Sequence, residues 1–235
     1  MSSGIQDDKA LHSETPHSDA SLPEASPSNS VYSGIGVFGG SFDPIHVGHL
    51  WMAEAALDQL PINHVRWFPA ATSPLKPNGP LGDNSQRLQM LRLALAGQSG
   101  HEIDTWELDQ NRVSYTVDTL EHLHAKHPDS PLFLIIGADS LDSFDRWKSP
   151  TKILDLCTLA VIARGGHAPP DYSILNDFAS ELMIEQCRAA EIKMPQIEVS
   201  SSDLRKRIAS KRSIRFQTPH PVEVFIRSES LYQQS

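Results

Sequence analysis

The chain of 235 residues lacks the features that define several large classes of protein. It has only two cysteines, Cys157 and Cys187, and their spacing matches no metal motif, so neither a disulfide framework nor a zinc site is expected. No apolar run approaches the roughly 18 residues that a membrane-spanning helix needs. The first residues also show no apolar run behind a basic start, as a secretory signal would. These absences favour a reduced, cytoplasmic protein with no membrane partner.

Positive charge is scarce as well. The formal net charge is -9, because 29 acidic side chains outnumber 20 lysines and arginines. Five carboxylates and one lysine in residues 1–33 contribute -4 of that total, which leaves -5 for the remainder. Nonspecific binding of nucleic acid depends on basic surface, so an acidic body argues against such a partner. It leaves open the binding of one anionic small molecule, which local groups decide.

The composition changes at about residue 33. Residues 1–33 are rich in Ser, Pro, His and acidic side chains and have almost no apolar periodicity. Such a segment cannot bury enough surface to offset its ordering entropy, so it is predicted to be a disordered tail. The whole chain is 39% hydrophobic, and residues 34–235 are predicted to form one domain.

Within that domain, apolar runs alternate with stretches of helical periodicity. Strands are predicted at Ile35–Phe38, Val65–Phe68, Leu132–Ile136 and Thr158–Ala163, with weaker candidates at His101–Trp106 and Gln196–Val199. The alternation predicts an α/β fold, a doubly wound, Rossmann-like parallel sheet with helices on both faces. Ligands of such sheets bind beyond the carboxyl ends of the strands.

The stretch GVFGGSFDPIHVGHL, residues 36–50, interrupts an apolar region with four glycines, a proline and two histidines. GIGVFG also fits a dinucleotide-binding pattern, but that pattern belongs in the turn after a strand, and here its centre is the strand itself. His46 and His49 share one face of the first helical turn, and Gly48 leaves room beside them. Because a helix N-terminus attracts anions, the stretch predicts a cradle for phosphate. The competing metal site lacks a third ligand nearby.

GGSFDPIHVGHL, residues 39–50, resembles the signature of the H-x-G-H nucleotidyltransferases, and specifically of the nicotinate mononucleotide adenylyltransferase family. The resemblance extends over most of residues 35–232. It implies that His46 and His49 bind ATP phosphates as catalytic residues. It also implies that the nucleotide is approached by the residues around them, namely Gly39, Gly40, Ser41, Phe42 and Gly48. Ser41 replaces the usual threonine of the family and keeps its hydroxyl.

VSSSDLRKRI, residues 199–208, resembles the second phosphate signature of the same family. The resemblance implies that Ser201 and Ser202 bind ATP and that Arg205 completes the catalytic set. Hydroxyl and amide groups at a helix start, together with a guanidinium, suit triphosphate oxygens. The assignment requires the two signatures to meet in one cleft.

Further segments resemble the substrate side of the family. Thr116 in SYTVDTL, Asp139 in LIIGADS and Trp147 in DRWKSP are implied to bind the acceptor, with Trp147 stacking on a pyridine ring. Plain structural roles remain open for each: a helix N-cap for Thr116, a cap for Asp139 and core packing for Trp147. Lys76 is carried over weakly, because Leu75 stands where the family usually has histidine.

Three other positions carry secondary expectations. QRLQMLRLAL resembles the following helix of the family, and its Arg87 is expected on the helix surface, with a position that reaches the site as the alternative. Lys148 follows Trp147 where the family often has an aromatic residue. The insertion at residues 165–193 matches no family motif and is expected to cap or extend the site.

The resemblance implies transfer of AMP from ATP to nicotinate mononucleotide, giving deamido-NAD and pyrophosphate in NAD biosynthesis. Mg²⁺ is expected to arrive with ATP and to keep much of its water, so no dedicated metal ligands are predicted. The alternatives are an adenylyltransferase for nicotinamide mononucleotide or phosphopantetheine, and a noncatalytic nucleotide-binding sensor. The sequence does not decide the oligomeric state, and a homo-oligomer is among the options.

Overall fold

The computed structural model describes Met1 and residues 34–72, 79–110, 112–164, 166 and 168–233. The tail predicted over residues 1–33 therefore falls outside the described residues except for Met1. Lys76 and Leu75 also lie outside them, so the prediction for Lys76 stays a prediction.

Six strands form one sheet: β1 (Gly34–Gly40), β2 (Ile62–Pro69), β3 (His101–Ile103), β4 (Leu132–Gly137), β5 (Thr158–Arg164) and β6 (Ile192–Met194). All neighbouring strands run parallel, in the order β3-β2-β1-β4-β5-β6. This is the strand order of a doubly wound nucleotide-binding sheet. The predicted α/β, Rossmann-like fold is confirmed.

The helices are α1 (Val47–Gln59), α2 (Asn84–Leu95), α3 (Trp106–Asp109), α4 (Thr116–Lys126), α5 (Ala138–Leu141), α6 (Pro150–Leu156), α7 (Glu181–Ala189), α8 (Ser201–Ala209) and α9 (His220–Ser228). Two 3-10 turns occur at Phe144–Arg146 and Tyr172–Leu175. The longest described helix, α1, has 13 residues, and no helix in the described part of the chain could cross a membrane.

The four stronger strand predictions are confirmed, but the two weaker ones need correction. β3 ends at Ile103, so the predicted strand to Trp106 is too long. The strand predicted at Gln196–Val199 is wrong, because the sixth strand is Ile192–Met194. Pro195 follows that strand directly and has no N–H to donate to the ladder. Residues after it therefore lead toward α8 instead of pairing with β5.

Two apolar clusters cover the two faces of the sheet. On one face, Ile135 of β4 belongs to the cluster that includes the buried residues of α1, α2, α8 and α9. On the other face, Leu134 and Ile136 belong to the cluster that includes α4, α6 and α7. The uninterrupted apolar sequence of β4 is thus explained by burial on both sides. Each cluster holds helices that begin beside the carboxyl ends of the strands.

The 165–193 segment lies elsewhere than expected. Its described side chains Tyr172, Leu175, Ile184 and Cys187 are buried in the second cluster. Among the described residues of this segment, none lines the cleft discussed below. The segment covers one face of the sheet because its apolar residues require burial there.

Candidate active site

A cavity of about 700 Å³ opens at the carboxyl ends of β1, β2 and β4. β1 and β4 are sheet neighbours, but the chain leaves β1 toward β2 and leaves β4 toward β5. The two crossovers therefore diverge and leave a crevice between them, which is where doubly wound sheets bind ligands. Its lining includes many of the predicted site residues: Gly39, Gly40, Ser41, Phe42, His49, Thr116, Asp139 and Trp147.

The loop after β1 is shaped around Phe42. Phe42 has a positive φ of 46°, and its buried ring meets the ring of Phe38 edge-on at 5.6 Å between centroids. A side chain at Gly40 would lie 2.9 Å from the Phe42 ring, so only glycine fits there. At Gly39, by contrast, a Cβ would meet nothing within 4 Å, so the backbone faces open space in the cavity. Gly40 thus makes room for the Phe42 ring, whereas Gly39 leaves its backbone accessible from the cavity.

His46 and His49 cap the N-terminus of α1 reciprocally. The backbone N–H of His49 donates to Nδ1 of His46 at 3.4 Å, and the N–H of His46 donates to Nδ1 of His49 at 3.3 Å. The two imidazoles stack with centroids 3.7 Å apart. Since Nδ1 accepts in each ring, a neutral imidazole carries its proton on Nε2. The same bonds therefore cap the helix and set the tautomer.

Gly48 makes room for His46. A Cβ at Gly48 would lie 3.1 Å from two atoms of the His46 ring, closer than nearly all real contacts. The predicted space beside the histidines is thus occupied by the imidazole itself. Gly48 contributes through His46, which stacks on His49 at the wall of the cavity.

Side chains from distant parts of the chain hold the loop between β1 and α1. Each donates a hydrogen bond to one carbonyl: Arg87 to Ser41 (2.8 Å), Arg205 to Asp43 (2.6 Å), Ser201 to Pro44 (2.9 Å) and Thr218 to Ile45 (2.8 Å). The loop geometry is therefore set by α2, α8 and the segment before α9. Ser201 is the first residue of α8, whose N-cap is Ser200.

The second phosphate signature meets the first through this contact. Arg205 also donates to the hydroxyl of Ser202 at 3.3 Å, and its guanidinium lies 3.6 Å from Oδ2 of Asp43. The two signatures therefore contact each other in the fold. Five predicted site residues are not part of the described cavity lining, namely His46, Gly48, Ser201, Ser202 and Arg205. In this structure the guanidinium contacts the loop that carries the histidines, and its role toward ATP stays a prediction.

Asp43 is the centre of a buried network that sequence reasoning missed. Its side chain is only 3% exposed and accepts hydrogen bonds from the N–H groups of Leu81 (2.8 Å) and Gly82 (3.0 Å). The hydroxyl of Tyr232, near the end of the chain, donates to Asp43 at 2.6 Å. Burial, followed by the nearby Asp43 charge, raises the pKa of Tyr232 well above its ordinary value. The carboxylate of Asp43 is therefore held as a hydrogen-bond acceptor within the loop between β1 and α1, residues 41–46. This loop is called the phosphate loop below, after the phosphate cradle predicted there.

Arg87 is a correction to the sequence analysis. It was predicted to be a surface residue, but its side chain is fully buried. It donates to the carbonyls of Ser41 and Gly82, and desolvation lowers the pKa of its guanidinium while Asp43 opposes that shift. A signal was available, because Arg87 shares the apolar helix face of Met90 and Leu91.

The end of the cavity that is predicted to bind the acceptor is aromatic. Trp147 is half-buried there, with its ring 5.5 Å from that of Phe144, and Tyr115 lines the same end. The buried Nε1 of Trp147 has no hydrogen-bond partner among the described residues. Asp139 stands exposed in the first turn of α5 at the rim. These positions agree with the predicted arrangement, while their contacts to a ligand stay predicted.

Thr116 occupies a different helix position from the one suggested. Tyr115 is the N-cap of α4, and no side chain caps this helix. Thr116 is therefore the first helical residue, and the structural alternative of an N-cap role is wrong. The N-cap Tyr115 makes no side-chain hydrogen bond to the first amide groups of α4, and both Tyr115 and Thr116 line the cavity.

Glu107 is a second residue that the sequence did not reveal. It lies in α3, is buried at the wall of the cavity and accepts a 2.7 Å hydrogen bond from the hydroxyl of Thr119. Desolvation raises the pKa of its carboxyl, against the hydrogen bonds from Thr119 and Ser114. In the sequence it resembles any surface acid, because α3 is too short to show a periodicity.

A parallel sheet with these two helix-borne signatures at its switch point defines a nucleotidyltransferase of the Rossmann-like class. The chain belongs to the cytidylyltransferase-like family, which matches residues 37–207. A probable nicotinate-nucleotide adenylyltransferase of Rhodopirellula baltica is 66% identical over 200 residues, covering 85% of this chain and 94% of that one. Another, from Roseiflexus castenholzii, is 41% identical over 198 residues, covering 84% and 97%. The predicted family resemblance is confirmed.

Solved structures agree in fold. The nicotinic acid mononucleotide adenylyltransferase of Plasmodium falciparum, complexed with NaAD, superposes with a TM-score of 0.67 at 19% identity, over 87% of this chain and 99% of that one. The structure of a putative nicotinate-nucleotide adenylyltransferase from Vibrio parahaemolyticus superposes with a TM-score of 0.59 at 18% identity, over 86% of this chain and 97% of that one. Identities this low establish the shared fold alone.

Proposed function

We propose that the protein transfers AMP from ATP to the 5′-phosphate of nicotinate mononucleotide, releasing pyrophosphate and forming deamido-NAD. The observation that carries the proposal is the cavity itself. It joins His49, which stacks on His46, and the open backbone of Gly39 at one end to Tyr115 and Trp147 at the other. Relatives named as nicotinate-nucleotide adenylyltransferases, at up to 66% identity over nearly their full length, support the same reaction.

The reaction needs no nucleophile from the protein. An oxygen of the acceptor phosphate attacks the α-phosphorus of ATP, and the bond from that phosphorus to the β-bridging oxygen breaks. Pyrophosphate leaves with the electron pair, and the attacking oxygen is already anionic. Catalysis therefore rests on positioning the two phosphates and on stabilising the charge that develops on the leaving group.

The donor for the leaving group is an imidazole at the start of α1. On this proposal His49, which lines the cavity beside the positive end of the helix, donates to phosphate oxygens when ATP binds, and His46 stacks on it and holds its orientation. Gly39 allows close approach of the backbone, and the hydroxyl of Ser41 lines the cavity next to it. On this proposal, Ser202 and Arg205 add a hydroxyl and a guanidinium from the start of α8.

The acceptor is proposed to lie with its pyridine ring against Trp147. A flat, electron-poor ring suits the face of an indole. The uncapped start of α4 at Thr116 would supply backbone N–H donors, and Asp139 would accept from a ribose hydroxyl or approach the metal–nucleotide region.

Mg²⁺ is proposed to enter with ATP. Its preference for oxygen ligands fits the phosphates and the exposed carboxylate of Asp139 better than the imidazoles. When bound, Mg²⁺ neutralises part of the phosphate charge. No group of three potential metal-ligating side chains occurs in the described ranges, so the phosphates and water would supply most of its ligands.

A cytoplasmic location is also proposed. Both cysteines are buried and unpaired, and burial raises the pKa of the thiols of Cys157 and Cys187. Thiols that stay reduced suit a reducing compartment.

The decisive experiment measures pyrophosphate release from ATP with three acceptors in turn: nicotinate mononucleotide, nicotinamide mononucleotide and phosphopantetheine. We expect the highest kcat/KM with nicotinate mononucleotide. A higher value with either of the other acceptors would replace the proposed substrate. ATP binding without pyrophosphate release on any acceptor would instead indicate a nucleotide sensor. Sedimentation of the same preparation would determine the oligomeric state.

A further inference from the structure

The aromatic end of the cavity carries a cluster of charges that the proposed mechanism does not use. Lys148 lines the cavity directly after Trp147, and its ammonium lies 4.4 Å from the centroid of the Tyr115 ring. The same ammonium is 2.9 Å from Oδ1 of Asp118, in the first turn of α4. The contacts with Tyr115 and Asp118 hold the lysine at the mouth of the acceptor end.

The charges in this cluster do not balance. The second oxygen of Asp118 is 3.4 Å from a guanidinium nitrogen of Arg112, so two cations share one carboxylate. The side chain of Asp118 is 16% exposed, whereas that of Lys148 is 46% exposed. The anion is thus enclosed by its partners, and the excess positive charge lies on the accessible groups.

Both signs of charge occur elsewhere at this end of the cavity. The start of α4, which no side chain caps, directs its positive end here. Arg146 is exposed and lines the same cavity. The opposing carboxylates are Asp139 at the rim and Glu107 in the wall.

We propose that Lys148 is a specificity-determining residue, which favours an acceptor whose ring carries a carboxylate over the same acceptor carrying a neutral amide. The inference rests on the proposed function and adds the group that distinguishes acid from amide. The two acceptors have nearly the same shape and differ by one unit of charge. A fixed ammonium attracts the carboxylate at a distance and has no comparable effect on the amide. Backbone N–H donors at the start of α4 can bind a carboxylate oxygen or the amide oxygen but not the amide NH₂, so the ammonium adds to the discrimination that such donors supply.

The test compares kcat/KM for nicotinate mononucleotide and nicotinamide mononucleotide, with saturating ATP. In Lys148→Met, which removes the charge and keeps the length, we expect the acid-to-amide ratio to fall about tenfold, equivalent to about 1.4 kcal/mol. The loss should appear in KM for the acid, with KM for the amide nearly unchanged. Lys148→Arg should keep the ratio.

Two further variants separate charge from local structure. Lys152→Met removes an exposed lysine of α6 that pairs with Glu121, and it should leave the ratio unchanged. Asp118→Asn removes the anion that opposes Lys148, so the ratio should rise. Opposite changes at two neighbouring positions would not result from general damage to the fold.

The outcomes distinguish this inference from the proposed function. If the wild-type protein turns over the acid but Lys148→Met keeps the wild-type ratio, the inference is wrong and the proposed function stands. An equal loss for both acceptors would also overturn it, since that result indicates a structural role. If the wild-type protein releases no pyrophosphate with the acid, the proposed function itself fails.

Discussion

At the scale of single residues, the histidine pair combines a structural and a chemical task. The backbone N–H groups of His46 and His49 are satisfied by the partner's Nδ1. Serine or aspartate would cap the helix as well, but neither would present a ring N–H beyond the cap. Histidine at both positions therefore caps the helix and keeps the ring type that the proposed donation to an anion requires.

Replacing one member of this pair should affect turnover more than folding. We expect His49→Ala to lower kcat by about 10², the scale of losing one donor that stabilises developing charge. The lost capping bond should reduce the free energy of unfolding by about 1 kcal/mol. Pyrophosphate release and urea unfolding measure the two effects. His124→Ala, at an exposed position of α4, is the matched control; turnover in His49→Ala equal to that of the control would remove His49 from the mechanism.

Glu107 should give the fold a pH dependence of known sign. Because burial raises its folded-state pKa above the ordinary value of 4.5, the folded state binds more protons than the unfolded state. Its stabilising contribution is present below that value and is lost as the pH rises through the raised pKa. We therefore expect the free energy of unfolding of Glu107→Gln, relative to wild type, to improve between pH 4.5 and pH 7.

Urea unfolding at several pH values measures this difference. Glu121→Gln, an exposed acid on α4, supplies the baseline for a change of net charge. A difference between Glu107→Gln and wild type that is flat with pH, or that shrinks as the pH rises, would contradict the assigned direction.

At the scale of elements, the phosphate loop is held in place by parts of the chain that lie far away in sequence. Donors from α2, α8 and the segment before α9 each bind one of its carbonyls, and Tyr232 binds Asp43 within it. These tethers confine the loop, so the histidines are positioned before any ligand binds.

The tether at the end of the chain can be tested alone. We expect Tyr232→Phe to lower the free energy of unfolding by about 2 kcal/mol, because it removes a buried hydrogen bond to a carboxylate. The matched control is Tyr172→Phe, whose hydroxyl lies 3.4 Å from Glu191, and it should cost less. Equal losses in the two variants would show that the Asp43 contact carries no special weight. A raised KM for ATP in Tyr232→Phe would indicate that the tether also positions the loop.

At the scale of the whole molecule, strand order decides where the site is. In the order β3-β2-β1-β4-β5-β6, β1 and β4 are neighbours whose crossovers diverge. The histidine loop follows β1 and the Asp139 turn follows β4, so both meet at one crevice. The strand order therefore sets the positions of the two ends of the cavity, the one predicted to bind ATP and the one predicted to bind the acceptor.

The domain from residue 34 onward should be sufficient for stability and activity. Because the composition of residues 1–33 cannot support a core, a chain lacking residues 1–32 should keep the free energy of unfolding and the kcat of the full protein. Removal of residues 229–235 is the contrasting truncation, since it deletes the buried side chains of Leu231 and Tyr232. A clear loss of stability or activity on removing residues 1–32 would assign the N-terminal segment a role.

The signatures and four of the strands could be predicted because they depend on local order. Glycine, proline and histidine at short spacing specify a turn and a helix start, and an unbroken apolar run specifies a buried strand. The errors arose where distant partners decide the outcome. Arg87 and Asp43 are buried because each has hydrogen-bond partners far away along the chain, the carbonyl of Ser41 for Arg87 and the N–H of Gly82 for Asp43. β6 lies at Ile192–Met194 and not at the predicted residues, because Ile192–Met194 is the segment that pairs with β5 at the edge of the sheet.

By itself, the amino-acid order determined the class of fold, the phosphate loop with its helix and the family to which the chain belongs, since each is encoded in spacings of a few residues. Only the tertiary structure decided that Arg205 contacts the histidine loop, that Tyr232 closes the network under Asp43, and that Lys148 lies at the acceptor end. The physical reason is that hydrogen bonds and charges act through space, so a residue's partners depend on how the strands are ordered.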